Sequence, residues 1–240
     1  LRIGHATPAG PYEVETLRLE DYVARVVAAE AAPNGGPAAL EALAIVVRTF
    51  ALGGRGRHAS EGFDLCDLTH CQAMAAATAA SRRAAETTTA RVLAHGGRLA
   101  TVVYTASCGG LSERPSRVWP SATDPPYLVS RPEPECREPR WGTEVSAADL
   151  QRALRVAGFR GALLRGLSVT ERTASGRVGR LSLEGLAPDV ISGDELRLAI
   201  GRSLGWQHLK STLFDLTRTA TGYRFDGRGA GHGVGLCETG

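Results

Sequence analysis

Hydrophobic positions recur every three and four residues from Leu19 onward. In LEDYVARVVAAE they place Leu19, Tyr22, Val23, Val26 and Val27 on one stripe, the pattern of a helix that buries a single face. Glu30 falls on the same stripe. The run AAPNGG stops that helix, and Pro37 suits a first helical turn. PAALEALAIVVRTFAL then predicts a second helix with Leu40, Leu43, Ala44, Val47 and Ala51 inward. Two short helices joined by a tight loop predict a helical hairpin. A third helix is predicted across AATAASRRAAETT, and RVLAHGGRLATVVYTAS carries two β-rich runs about Gly96 and Gly97, a hairpin pattern.

Between Cys108 and Trp141 the chain is Pro-rich and without period, a long loop of the kind that carries function. Beyond it, SAADLQRALRVAG sets Ser146 three residues before Asp149, and SGDELRLAIG sets Ser192 three residues before Glu195. Both predict helices with capped starts. LSVTERTASGRVGRLSL predicts two strands joined at Ser175 and Gly176, and the C-terminal segment predicts a last hairpin followed by glycine-rich chain. There is no internal repeat and no regular βα alternation. The fold class is therefore α+β: an N-terminal helical hairpin packed on β-hairpins and a mixed, mostly antiparallel sheet.

Composition narrows the function. With 240 residues, 43% hydrophobic and 22% charged, the chain has a globular balance that excludes disordered, collagen-like and coiled-coil classes. The formal charge of +3 is scattered, which gives no nucleic-acid footprint. No apolar run is long enough to span a membrane, so an export leader or anchor would lie outside this sequence. Nearly all basic charge is Arg, and Lys210 is the single lysine. The five cysteines are an odd number, so no scheme of internal disulfides uses them all.

Several residues could carry chemistry. Glu30, on an apolar stripe at the negative end of a helix dipole, has two reasons for a raised pKa, as a general acid requires. Solvation at a frayed helix end is the bland alternative. Arg48, on the second helix, could reach across the hairpin to hold that carboxylate or an anionic substrate. The run CDLTHCQ packs Cys66, His70 and Cys71 together, which suits a metal with a distant fourth ligand such as His58, a short disulfide, or a thiol nucleophile. TASCGG sets Ser107 and Cys108 at a strand end, and Cys108 could pair with Cys136. In GAGHGVG, alternate glycines would leave one bare backbone face on an extended chain, with His232 at the centre of a substrate-groove floor. Tyr104, Trp119, Tyr127 and Trp141 cluster around the long loop and offer faces on which sugar rings stack.

Taken in order, LEDYVARVVAAEAAP, EALAIVVRTFAL, FDLCDLTHCQ, YTASCGGLSE, PYLVS, SGRVGRLSL, SGDELRLAIG, LKSTLF and GRGAGHGVGLC resemble the stage II sporulation protein D family over nearly the whole chain. The resemblance implies one catalytic domain over 1–240, two-lobed about a central groove, with a helical lobe over roughly 19–90 and a β-rich remainder over 91–240. It implies a lytic transglycosylase that cuts peptide-stripped cell-wall glycan outside the cytoplasmic membrane, leaving 1,6-anhydro-N-acetylmuramic acid ends, without implying sporulation. By resemblance Glu30 is the catalytic acid, and Arg48, Gln72, Tyr104, Ser107, Lys210 and His232 are substrate-binding. No cofactor is required. Some members hold zinc beside the acid, and here Cys66, His70 and Cys71 would be the ligands. An amidase-enhancer branch binds glycan and modulates a partner hydrolase. A wall peptidase using Cys71 or Cys108 with His70 or His232 is a third reading. Related sequences continue past LCETG into another helix.

Overall fold

The first apolar stripe becomes helix α1 (Leu19–Glu30) in the computed structural model, which describes residues 1–7, 10–33, 35–68, 70–136 and 140–240. Three expectations touch residues outside these: Asn34 in the helix stop, Thr69 in the CDLTHCQ run, and 137–139 in the Pro-rich loop. Helix α1 has no side-chain cap, but Glu20 and Asp21 in its first turn oppose the positive end of the helix dipole. Tyr22, Val23, Val26 and Val27 are buried, as the periodicity requires. Helix α2 (Pro37–Gly53) opens on Pro37 and buries Leu43, Ala44, Val47 and Ala51. The chain is of the α+β class, and it divides into two compact units, Leu1–Tyr104 and Thr105–Gly240.

The first unit also holds an element that the apolar pattern did not reveal. Strands β1 (Arg2–Thr7) and β2 (Gly10–Thr16) form an antiparallel hairpin, and β1 pairs in parallel with β3 (Leu65–Cys66). Its alternation is invisible because Gly4 takes a core position. A Cβ there would lie 2.6 Å from the Phe63 ring, so the aromatic fills the space a side chain would take. Helix α3 (Ala79–Thr87) carries a capping box between Thr78 and Ser81, one turn inside the predicted span. The hairpin at Gly96 and Gly97 is reduced to β4 (Ala94–His95) and β5 (Arg98–Leu99), turned by two glycines at φ 57° and 74°. It stays short because nothing covers it: Leu93 and Leu99 are both exposed.

The chain enters the second unit through β6 (Tyr104–Thr105). The Pro-rich loop contributes one turn of helix, α4 (Pro115–Val118). It is tied by hydrogen bonds rather than by apolar burial: Ser112 N–H donates to Arg131 O at 3.0 Å and Ser130 Oγ donates to Ser112 O at 2.6 Å. Strand β7 (Trp141–Ser146) runs into α5 (Ala147–Val156), whose start is capped by Ser146. Strands β8 (Gly166–Arg172), β9 (Val178–Glu184) and β10 (Val190–Ser192) form an antiparallel sheet, and α6 (Gly193–Leu204) begins at the capping box of Ser192 and Glu195. The last hairpin, β11 (Phe214–Arg218) and β12 (Gly222–Gly227), adds to β7, and the short β13 (Leu236–Cys237) follows. Leu150, Leu154, Leu181, Leu183, Leu196 and Phe225 form a continuous core between these helices and sheets. Among the described residues no helix is long and apolar enough to cross a membrane.

Candidate functional site

Glu30 is the last residue of α1, and it is half-buried. Ala73 N–H donates to Glu30 Oε1 at 3.0 Å, and the Tyr104 hydroxyl donates to the same carboxyl. Both bonds favour the ionised form. Burial outweighs them and lifts the carboxyl above the usual carboxylate range. Behind it runs a chain of donors that all point one way. Tyr22 Oη donates to Gln72 Oε1 at 2.9 Å, and Gln72 Nε2 donates to Tyr104 Oη at 3.3 Å, so the phenolic proton of Tyr104 is left for Glu30. Burial also pushes the Tyr22 phenol up, so it remains a donor at every physiological pH.

This geometry corrects two of the expected substrate contacts. Gln72 is fully buried, so it holds Tyr104 in place and meets no ligand. Arg48 is fully buried as well, and its partner is Glu20, not Glu30. Its Nε donates to Glu20 Oε1 at 3.0 Å and its Nη2 to Glu20 Oε2 at 2.5 Å, and further bonds reach the carbonyls of Ala85 and Arg91. A fork that is saturated inside the helical packing has no donor left for a substrate.

Close to Gln72 in sequence, Cys66, His70 and Cys71 come together with His58. One ligand atom from each of His58, Cys66, His70 and Cys71 lies within 4.8 Å of the others. Cys66 Sγ is 3.1 Å from His70 Nε2, His70 Nε2 is 3.3 Å from His58 Nε2, and Cys71 Sγ is 3.5 Å from His58 Nε2. Tetrahedral zinc with ordinary Zn–N and Zn–S bonds separates its ligand atoms by about 3.3–3.8 Å, so the donor set fits that ion. His58 Nδ1 is bonded to Glu61, which turns Nε2 toward the cluster, the carboxylate–imidazole support common behind metal ligands. Arg57 Nη1 donates to His70 O at 2.6 Å and fixes the other histidine's backbone. Cys66 and Cys71 are free thiols, not the short disulfide that their spacing also allowed. Burial and the neighbouring Cys71 push the Cys66 thiol up to about 12.

In the second unit the expected residues serve different ends. Ser107 is fully buried, with its Oγ 3.1 Å from Cys136 Sγ, which removes it from any solvent-facing site. The glycine-rich segment is not the extended floor that alternation suggested. Gly229, Gly231, Gly233 and Gly235 all have positive φ, between 74° and 89°, so the glycines supply left-handed turns and the chain winds. At Gly233 a Cβ would also lie 2.1 Å from Arg177 Nη2. His232 stands edge-on to Trp119 at 4.8 Å between ring centroids, and its Nδ1 accepts from Val234 N–H. Lys210 is exposed. The aromatic residues flanking the long loop have separate tasks: Tyr104 serves Glu30, whereas Trp141 donates from Nε1 to Gly229 O.

A peptidase centre on Cys108 is not built here. Among the described residues its sulfur is grouped with those of Cys136 and Cys237, not with an imidazole. Sequence reasoning missed Tyr22, Ala73 and Glu20 as supports. Tyr22 is a core residue by period, and only its hydroxyl marks it as polar. Ala73 acts through backbone, which leaves no trace in residue type.

Residues 130–235 match a family described only as a domain of unknown function, and residues 9–95 match the family described as stage II sporulation protein. An uncharacterized protein of Brachyspira hyodysenteriae is 25% identical over 233 residues, covering 95% of this chain and 61% of that protein. The amidase enhancer of Bacillus subtilis is 23% identical over 264 residues, covering 87% of this chain and 36% of that protein. The chain thus spans less than two thirds of the length of either curated relative. The segment that holds Glu30 and the Cys–His quartet is thus the part of the chain that matches the stage II sporulation protein family.

Proposed function

We propose that this protein is a lytic transglycosylase of bacterial cell-wall glycan, acting outside the cytoplasmic membrane, with Glu30 as its acid and base. The observation that carries this is the half-buried Glu30 carboxyl, raised by burial and held by Ala73 N–H and the Tyr104 hydroxyl. A hydrolytic glycosidase ordinarily uses two carboxylates. A lytic transglycosylase needs one, because the nucleophile is the C6 hydroxyl of the substrate's own N-acetylmuramic acid. Glu30 gives its proton to the glycosidic oxygen as the bond to the anomeric carbon breaks. It then takes the proton of the C6 hydroxyl as that oxygen closes the 1,6-anhydro ring. Tyr104 orients the carboxyl, and Gln72 with Tyr22 orients Tyr104. In the second unit, exposed Lys210 and the Trp119–His232 pair are proposed as glycan contacts, a cation for the muramic carboxylate and an aromatic face for a sugar ring.

His58, Cys66, His70 and Cys71 would hold zinc. Four protein ligands close the coordination sphere, so the ion would supply structure, not an activated water. Cys71 directly precedes Gln72 and Ala73, so fixing that segment steadies two of the groups that hold Glu30 in place.

A second reading rests on the relative named amidase enhancer, which covers 87% of this chain. In it the protein binds wall glycan and assists a partner hydrolase without cutting. Incubation with purified, peptide-stripped wall glycan separates the two readings. Soluble products ending in 1,6-anhydro-N-acetylmuramic acid, seen by mass spectrometry, are expected. Reducing ends would mean hydrolysis, and binding without products would leave the enhancer reading.

Tyr104→Phe tests the support of the acid. The hydroxyl's bond lowers the Glu30 pKa, so its loss should raise that pKa further and carry the descending limb of the pH–rate profile to higher pH. The maximal rate should fall by up to about tenfold, the worth of one ordinary hydrogen bond. An unmoved pH limb would remove Tyr104 from the site.

A further inference from the structure

Outside the Glu30 site, the chain brings its remaining three cysteines to one point. Cys108 follows β6, Cys136 lies in the Pro-rich loop, and Cys237 lies in β13, yet their sulfurs all sit within 4.8 Å of one another. All three are buried free thiols, and the 7% exposure of Cys136 and Cys237 leaves a way in from solvent. A disulfide can join only two of the three. It would leave the third thiol enclosed with them, although free cysteine packs elsewhere as a small hydrophobe.

What surrounds the sulfurs is not apolar. Cys108 N–H donates to Cys237 Sγ at 3.2 Å, and the hydroxyls of Ser107 and Thr239 lie 3.1 and 3.3 Å from Cys136 Sγ. Thr239 Oγ1 is also 3.5 Å from Cys237 Sγ. Donors aimed at sulfur stabilise thiolates, as the outer partners of metal ligands do. The three segments that supply the sulfurs have little ladder of their own, since β13 is two residues long and Cys136 follows a loop tied mainly by turns. An ion held by all three would pin them.

We propose that Cys108, Cys136 and Cys237 form a second metal centre, in which three thiolates bind a thiophilic d10 ion, separate from the Cys–His quartet. On binding, each sulfur releases its proton to solvent and donates a lone pair to the ion, with no change of oxidation state. The all-sulfur donor set selects soft ions of the copper(I) and zinc type and rejects magnesium and calcium. This inference does not rest on the transglycosylase reading.

The test uses the full chain, reduced and freed of metal, with cadmium(II) as the probe. Cadmium should produce the ultraviolet thiolate charge-transfer band and should saturate at two ions per chain, one for each cluster. Alkylation followed by peptide mapping should find Cys108, Cys136 and Cys237 protected together while cadmium is bound, and all three modified once a chelator removes it. Because burial alone would not respond to the chelator, this readout needs no variant. Cys136→Ser should reduce the stoichiometry by one ion and leave the protection of Cys66 and Cys71 unchanged. Identical labelling with and without cadmium would overturn the proposal. So would a disulfide between two of the three cysteines in the chain as purified, with no cadmium-dependent protection after reduction.

Discussion

Replacing Glu30 by Gln should lower the release of 1,6-anhydro products by about 100- to 10,000-fold, the range that a positioned proton donor contributes. Retention on insoluble glycan in a sedimentation assay should be unchanged. The substitution keeps the side chain's size and an oxygen to accept from Ala73 N–H, but it removes the group that can give and then take a proton. The pH dependence follows from burial. Because the carboxyl sits above the ordinary carboxylate range, the wild-type rate should fall as pH rises through that raised value, when the acid form disappears. Stability has the matching sign. A carboxyl whose pKa is raised on folding contributes stability that is complete below its unfolded pKa and is lost as pH rises through the folded one. At neutral pH the Glu30→Gln variant should therefore melt at the same temperature as the wild type or higher, so lost turnover could not be ascribed to unfolding. Undiminished product release by the folded variant would remove Glu30 from the chemistry.

What the sequence revealed about that site and what it hid have physical causes. Helix α1 and the place of Glu30 on it were legible because a helix that buries one face must repeat its apolar residues every three or four positions. The capping boxes at Thr78 and Ser192 illustrate the gap between them: the second carries the expected Ser–x–x–Glu pattern, whereas the first closes with Ser81 and has no acidic signature. Hairpin β1–β2 escaped notice because Gly4 lets the Phe63 ring occupy a core position. The winding of the glycine-rich segment also escaped, since alternate glycines suit a bare extended face and repeated left-handed turns equally, and residue type alone does not choose. The Cys–His quartet lay between these cases. Cys66, His70 and Cys71 are neighbours in sequence, and His58, open to the sequence only as a distant candidate, is brought to them with its ring stacked on Phe63 at 4.8 Å. Gln72 and Arg48 show the opposite error: polar residues beside the candidate acid read as ligands, although burial makes them supports.

Arg48 is where that distinction can be measured. Its guanidinium ties the start of α1, through Glu20, to the end of α3, through Ala85 O and Thr88 Oγ1, and to the loop before β4, through Arg91 O. The Arg is wholly enclosed, whereas the Glu20 side chain keeps 30% of its exposure. Arg48→Met would remove the charge that the carboxylate faces and orphan the carbonyl of Arg91. A loss of about 3–5 kcal/mol is expected, the usual consequence of breaking a buried pair by removing one partner. Urea unfolding should show it as a lower midpoint at unchanged slope. Glu20→Gln should be comparably destabilising, because the charge it strands is the one with no access to water. The double variant should cost less than the sum of the two, the mark of direct coupling. Glycan affinity of the molecules that remain folded should not change, since no atom of Arg48 reaches the surface. A variant of undiminished stability whose KM for glycan rises would make Arg48 a substrate ligand after all, and would require this helical packing to open during catalysis.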